Sequence, residues 1–410
     1  MTKQTFVIAG ASLAGAKAAE RLREHGFDGR IVLVGAEPER PYERPPLTKD
    51  YLRGESEREK AYVHPAGYYK DNEIELMLET TVSAIAPDDH EITCADGRRL
   101  SYDKLLLTTG AQPRRIPVRG AELAGVHYLR TFADCDALRD RLSAGGRVAV
   151  VGAGWIGSEF AASARQSGLE VTLIDPLALP NERIFGAEIG EFYRDVHAQH
   201  GITLRLGEGV EAFEGDGAVT AVRVSSGEQI DCDFAVVGIG VAPNDQIAQD
   251  AGLATENGII VDERLQTSAP DIYAAGDVAN ARHPFYGERI RVEHWSTALN
   301  QGGAAGSAML GKLNAYDRIP YFFSDQYDVG MEYSGYATSW DEVVFRGTRE
   351  SGEFIAFWVR DGCVVAGMNV NVWDVNQHVQ ALIRSRRPVD AAALRDPDTD
   401  LQALAGELAV

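Results

Sequence analysis

The chain opens on a short apolar run, Thr5–Ala9 (TFVIA), that ends in a glycine turn and gives way to a helical pattern. Through residues 14–25, apolar Ala16, Ala19 and Leu22 recur at helical spacing, while Lys17, Glu20 and Arg21 take other positions. Gly26 and Gly29 close that helix, and residues 31–34 (IVLV) are apolar without alternation, as expected of a strand buried on both faces. The segment therefore predicts one strand–helix–strand unit. The same design returns later: a strand over Arg147–Val151, a glycine turn over 152–157, a helix to Gln166, a stop at Gly168 and a strand over 170–174. A repeat at this separation predicts two similar α/β domains, not a solenoid. Residues 102–110 (YDKLLLTTG) and 234–240 (FAVVGIG) read as the matching late strands. Residues 267–277 (TSAPDIYAAGD) read as another buried strand, after which Val278 is expected to open a helical segment.

From Tyr321 the pattern changes. Alternating, aromatic-rich stretches at 342–345, 354–359 and 363–368 predict an antiparallel sheet, followed by a helix over 374–385. The Pro/Asp-rich segment 388–400 and the polar tail carry no sign of a further domain. The fold class predicted is α/β: two Rossmann-like dinucleotide-binding domains plus a C-terminal α+β domain with an antiparallel sheet. Residues 1–112 and 243–319 form the first domain, residues 113–242 form a second inserted between them, and residues 320–410 form the third.

The two glycine turns carry the chemistry. In the second, Gly152, Gly154 and Gly157 complete G-x-G-x-x-G between strand and helix, with Ile156 inside it. Such a turn lets backbone approach a pyrophosphate, which the helix N-terminus then meets with free N–H groups. Asp175 closes the following strand, where a carboxylate accepts from a ribose 2′-hydroxyl and repels a 2′-phosphate. The nearest base beyond it is Arg183, so NADH is favoured over NADPH. In the first turn, Gly10 and Gly15 match the same pattern but Ser12 replaces the middle glycine. Serine is small enough for a dinucleotide, and strand–helix packing alone is the competing explanation. Glu37, after the second strand, is suited to ribose hydroxyls or is simply a solvated loop charge.

Composition narrows the partners. Lys plus Arg number 40 against 61 Asp plus Glu, a net charge of −21, which disfavours nucleic acid and anionic membranes. No run of about 18 apolar residues predicts a membrane span. Cys94, Cys135, Cys232 and Cys363 stand far apart, without metal-ligand or C-x-x-C spacing. Neither a metal site nor a cluster or redox disulfide is expected.

Two fingerprints, a T-x-G near 108–110, a G-x-G ending at Gly240 and a late A-x-G-D ending at Asp277 resemble the two-dinucleotide-domain flavoprotein reductases. Within that group the stretches RPPLTK (44–49), YLRT (128–131), WIGSE (155–159) and FSDQY (323–327) are similar to the NADH-dependent ferredoxin reductases of bacterial oxygenase systems. The resemblance implies that FAD touches Ala14, Arg44, Lys49, Val82, Arg130, Asp277 and Trp295, besides the turn at Gly10, Ser12 and Gly15. Several relatives place the ribose acid where Ala36 stands here, so Glu37 would take that part. It also implies that Lys49 and Glu159 form a catalytic pair near the flavin edge. The lysine would stabilise negative charge, and the carboxylate, expected on the first turn of its helix, would hold the nicotinamide carboxamide. A salt bridge of little catalytic value is the competing reading. The NAD contacts implied are Gly152, Gly154, Ile156, Gly157, Glu159, Asp175 and Gly240.

Disulfide reductases of the wider group carry a cysteine pair on the helix following the FAD fingerprint, and NADH oxidases or peroxidases one cysteine near the flavin, whereas residues 41–49 contain none. Electrons are therefore expected to pass from NADH through FAD to a separate one-electron [2Fe–2S] ferredoxin serving a monooxygenase or dioxygenase. The scattered cysteines read as reduced, mostly buried thiols of a cytoplasmic protein, and a monomer or weak homodimer is expected. A rubredoxin reductase, another NADH-dependent flavoprotein reductase and an NADH-sensing interaction flavoprotein resembling apoptosis-inducing factor remain alternatives. Arg384, Arg386 and Arg387 make a C-terminal basic cluster that could dock an acidic ferredoxin or only favour a helix end. Asp175→Ala combined with a new neighbouring arginine should shift preference toward NADPH. Comparing kcat/KM for the two nucleotides tests it, and a wild-type preference for NADPH would refute the Asp175 reading.

Overall fold

The computed structural model describes residues 3–408, so the domain limits drawn at residues 1 and 410 lie outside the described residues. The chain divides into two units. One contains the stretch ending at Pro45, Glu57–Gln112 and Val241–Arg318, and the other contains Pro46–Ser56, Pro113–Gly240 and the stretch from Ile319 onward. The late glycine-turn repeat and the C-terminal sheet thus share one unit, joined by the short Pro46–Ser56 segment from early in the chain.

The first unit is built on a five-stranded parallel sheet in the order Ile272–Ala274, Lys104–Leu107, Thr5–Ala9, Arg30–Val34 and Ile74–Met77. The strands from Phe6 to Ala9 and from Ile31 to Val34 are buried throughout, which is why they carry no alternation. The Leu13–Glu24 helix buries Leu13, Ala14, Gly15, Ala16, Ala18, Ala19 and Leu22. Against it lies the Trp295–Met309 helix, and small residues set how closely they approach. A Cβ on Gly302 would stand 2.3 Å from the Ala14 carbonyl oxygen, and one on Gly306 would stand 2.7 Å from that of Ala18.

One expectation here fails. Val278 opens no helix; Ala279–His283 is a strand, paired in parallel with Ile259–Val261 and antiparallel with Glu288–Ile290. The ladder claims backbone groups that a helix would have bonded internally, and Asn280 adds a bond from Nδ2 to the Glu256 carbonyl (2.6 Å). Tertiary pairing overrides the local helical preference of an alanine-containing run.

The second unit holds another five-stranded parallel sheet, ordered Thr203–Leu206, Glu170–Asp175, Arg147–Val151, Phe234–Val237 and Val126–His127. Its glycine-turn helix is Trp155–Gln166. A helix not anticipated from periodicity, Phe132–Ala144, starts at Thr131, where Thr131 and Asp134 form a reciprocal capping box. The antiparallel sheet of the same unit has the order Tyr321–Gln326, Val329–Gly335, Cys363–Val370, Glu353–Arg360 and Glu342–Thr348. An aromatic cluster of Phe185, Tyr193, Phe322, Tyr333 and Trp358 packs beneath it, with the Trp358 indole donating to the Phe185 carbonyl (3.0 Å).

The next helix begins at Asn376, later than residue 374, because Asp374 has φ +62° and cannot lie in a right-handed turn. Arg386 ends that helix in the left-handed region. The stretch from residue 388 onward, where no further domain is expected, includes two short helices, Ala391–Arg395 and Leu401–Leu408. Among the described residues no helix is long and apolar enough to cross a membrane.

Gly302→Ala should lower stability by about 1–3 kcal/mol, because the new methyl collides with backbone that cannot swing aside. Gly209→Ala, whose Cβ would meet nothing within 4 Å, serves as the comparison. Urea unfolding midpoints decide between them: equal shifts would disprove the close approach.

Candidate functional site

In the first unit the glycine turn is locked by its neighbours. Gly10 has φ +127°, and a Cβ there would lie 2.1 Å from the Thr108 carbonyl oxygen. A Cβ on Gly15 would lie 2.2 Å from the Gly10 carbonyl oxygen. Thr108 also donates from Oγ1 to the Gly10 carbonyl (2.8 Å), so the TTG segment after the Lys104–Leu107 strand fixes the turn. Ser12 is the N-cap residue of the helix, with extended backbone and no side-chain capping bond. The hydroxyl does not claim the first-turn amides, and the helix entrance keeps its donors for an anion.

Glu37 and Arg44 come together in this unit. Arg44 Nη2 donates to one oxygen of the Glu37 carboxylate (2.7 Å), Tyr42 donates its hydroxyl to the other, and Arg44 Nη1 reaches the Tyr42 oxygen (2.7 Å). Val82, on Val82–Ala86, is half-buried. Asp277, also half-buried, follows Gly276, whose N–H donates to Gln301 Oε1 (2.9 Å). Gln301, buried on the Trp295–Met309 helix, is a residue that sequence reasoning missed. Its only signal was a polar side chain inside a run of small residues. Trp295 opens the same helix, and burial pushes the nearby Glu43 carboxyl above its ordinary range.

In the second unit the complete fingerprint is closed in the same way. A Cβ on Gly152 would lie 2.4 Å from the Gly238 carbonyl oxygen, and one on Gly157 would lie 1.8 Å from that of Gly152. Gly154 is different, since a Cβ there would meet nothing within 4 Å. The middle glycine thus faces open space over the helix N-terminus, the cradle that a pyrophosphate requires. The Asp175 carboxylate accepts from the Ala153 N–H (2.6 Å) and the Leu177 N–H (2.8 Å), so it also organises the turn. Ile156 stands 42% exposed on the first helical turn. Gly240 is exposed with φ +93°, and its carbonyl accepts from the Arg114 N–H (2.9 Å). Arg130 lies just before the Thr131 capping box, and its backbone N–H reaches Asp134 Oδ2 (3.1 Å).

Lys49 and Glu159 also meet, within this unit and not merely at its surface. Their side chains are 11% and 6% exposed and 2.6 Å apart. Glu159 falls in the second turn of the Trp155–Gln166 helix, one turn later than expected. Its Oε2 accepts from Lys49 Nζ and from Thr48 Oγ1 (2.5 Å), and its Oε1 accepts from Ser324 Oγ (2.7 Å). The Phe323 ring centroid lies 5.6 Å from Lys49 Nζ. The segment that delivers Lys49 is pinned by Ser163 Oγ, which donates to the Thr48 carbonyl (2.6 Å). Thr48 and Ser324 sat inside motif stretches, but their contact with Glu159 left no mark at a separation of more than a hundred residues.

All four cysteines are free thiols. Cys135 is buried and donates to the Leu47 carbonyl (3.4 Å), and burial pushes the Cys232 thiol up to about 12. Among the described residues no group of three or more His, Cys, Asp or Glu could hold a metal ion.

Residues 4–302 match the family described as pyridine nucleotide-disulphide oxidoreductase, and residues 321–405 match the reductase C-terminal domain. The ferredoxin reductase subunit of 5,5′-dehydrodivanillate O-demethylase from a Sphingobium species is 39% identical, covering 97% of each chain. Putidaredoxin reductase from Pseudomonas putida is 36% identical over 97% of this chain and 95% of its own. The solved structure of a covalent putidaredoxin reductase–putidaredoxin complex superimposes with TM-score 0.96 at 35% identity, over 100% of this chain and 99% of that one.

The buried pair sets a stability expectation. Lys49→Met strands a buried carboxylate and should destabilise the protein by about 3–5 kcal/mol. Adding Glu159→Gln should recover much of that loss. Denaturant unfolding of the two single variants and the double variant measures the coupling, and strictly additive losses would exclude it.

Proposed function

Because the chain belongs to the pyridine nucleotide-disulphide oxidoreductase family and uses FAD and NAD(H), we propose that it is an NADH-dependent ferredoxin reductase of an oxygenase system. The reaction is NADH plus two oxidised [2Fe–2S] ferredoxins giving NAD+, a proton and two reduced ferredoxins. The observation that carries this reading is end-to-end agreement with relatives named as ferredoxin reductases, through the C-terminal domain as well as the nucleotide domains. FAD, when bound, supplies acceptance of a hydride as an electron pair and release of electrons singly.

Each of the chain's own residues has a defined task in that scheme. The turn at Gly10, Ser12, Ala14 and Gly15 holds the FAD pyrophosphate, with Asp277, Trp295, Val82, Arg44 and Glu37 as further FAD contacts. Glu37 is already held by Arg44 and Tyr42, so it is pre-oriented, and a ribose hydroxyl would share its carboxylate with them. Lys49 and Arg130 keep the FAD assignments that the family resemblance gives them.

NADH lies over the open face of Gly154, between Gly152, Ile156 and Gly157, with Asp175 at the adenosine ribose and Gly240 lining the site. Glu159 receives the nicotinamide carboxamide, and Lys49 balances its charge. With no cysteine within residues 41–49 and no C-x-x-C pair in the sequence, electrons leave by way of the flavin itself, without a dithiol relay. Arg384, Arg386 and Arg387, exposed at the end of the Asn376–Ser385 helix, are the candidate ferredoxin contacts, and the cytoplasm is the proposed location.

Adding a [2Fe–2S] ferredoxin should raise NADH-driven cytochrome c reduction at least about tenfold, the gain expected when an electrostatically matched carrier relays electrons. Rubredoxin in place of ferredoxin should stimulate far less. Equal stimulation by both carriers, or none by ferredoxin, would overturn the assignment.

A further inference from the structure

Glu159 is held on both oxygens, and the two sides come from different parts of the second unit. Thr48 and Lys49, in the Pro46–Ser56 segment, take Oε2. Ser324, on the first strand of the antiparallel sheet, takes Oε1 at 2.7 Å. Ser324 and Gln326 are each 1% exposed, and their two-residue spacing puts both side chains on one face of the strand. Gln326 Nε2 donates to Ser324 Oγ (3.3 Å). A serine hydroxyl has one proton, and here it goes to Glu159, so Ser324 can only accept from Gln326. The direction is thereby fixed, from Gln326 to Ser324 to Glu159.

The arrangement leaves one group unsatisfied. Gln326 Oε1 is buried without a hydrogen-bond partner among the described residues. A lone buried acceptor is unfavourable, and turning the amide over would point that acceptor at a serine whose proton is already committed. The unpaired oxygen is the consequence of aiming the amide donor at Ser324.

We propose that Ser324 and Gln326 are positioning residues that orient Glu159 for the nicotinamide, so that the C-terminal sheet sets the geometry of hydride delivery. The proposal rests on the function assigned above. It differs from a packing role because Ser324 acts only through the Glu159 carboxylate, and its loss should vanish once that carboxylate is gone.

The test is a double-mutant cycle on Ser324→Ala and Glu159→Gln, read in two ways. In stopped-flow bleaching of the FAD-loaded enzyme at saturating NADH, Ser324→Ala should slow reduction roughly tenfold, the effect of losing one hydrogen bond to a charged group. In the Glu159→Gln background the same change should cost under about twofold. In denaturant unfolding of the same proteins, the two substitutions should couple in the same sense. Gln326→Met, one link further out, should slow bleaching in the same direction by less, and it replaces Ser324→Ala if that variant does not fold. Equal losses in both backgrounds, or an unchanged rate in Ser324→Ala, would overturn the proposal. If NADH fails to bleach the wild-type protein, the assigned function falls and the role in hydride delivery falls with it; unfolding then decides only whether Ser324 holds the Glu159 carboxylate, which coupling upholds and additivity rejects.

Discussion

A carboxylate removed from water must be met by donors on both oxygens, and in the second unit Glu159 imposes that condition on the chain around it. Lys49 and Thr48 come from early in the sequence and Ser324 from late in it, and all three converge on one helix. The requirement explains why Pro46–Ser56 leaves its neighbours in sequence and packs with the second unit. It also explains why Ser163, a turn beyond Glu159 on the same helix, is spent on the Thr48 carbonyl. The pair contributes less to net stability than its distance suggests, because burial of both charges offsets much of their attraction. Its value is a fixed orientation.

Both nucleotide turns obey a second constraint, contact between backbones. At Gly10, Gly15, Gly152 and Gly157 a side chain would collide with a carbonyl oxygen, so those glycines are required by the protein itself. At Gly154 a Cβ would meet nothing within 4 Å among the described residues. The contrast separates glycines that close the turn from the one left facing outward. It also accounts for Ser12, since the middle position of such a turn faces away from the backbone contacts that demand glycine.

The acids after each second strand, proposed to meet a ribose, already serve structural bonds. Asp175 already accepts two backbone amides, and Glu37 already holds Arg44 and Tyr42. Each carboxylate has lone pairs left for a ribose hydroxyl, and the existing bonds restrict its rotation. Ribose binding there would incur less ordering cost in these side chains.

Local pattern was enough for much of this protein. The two strand–turn–helix units, the antiparallel C-terminal sheet, the glycine turns and the acids beyond them were legible because each depends on residues close in sequence. Periodicity, turn geometry and helix-terminus chemistry act over a few positions. Only tertiary structure decided the rest. Residues 279–283 became a strand because a parallel partner, Ile259–Val261, was waiting for it. Gln301 took its place because Gly276 offered an amide across the fold. The partners of Glu159 were set by packing among segments over a hundred residues apart, and no spacing rule spans that distance. A short-range pattern can announce that a carboxylate is present, but the donors that orient it belong to the folded chain.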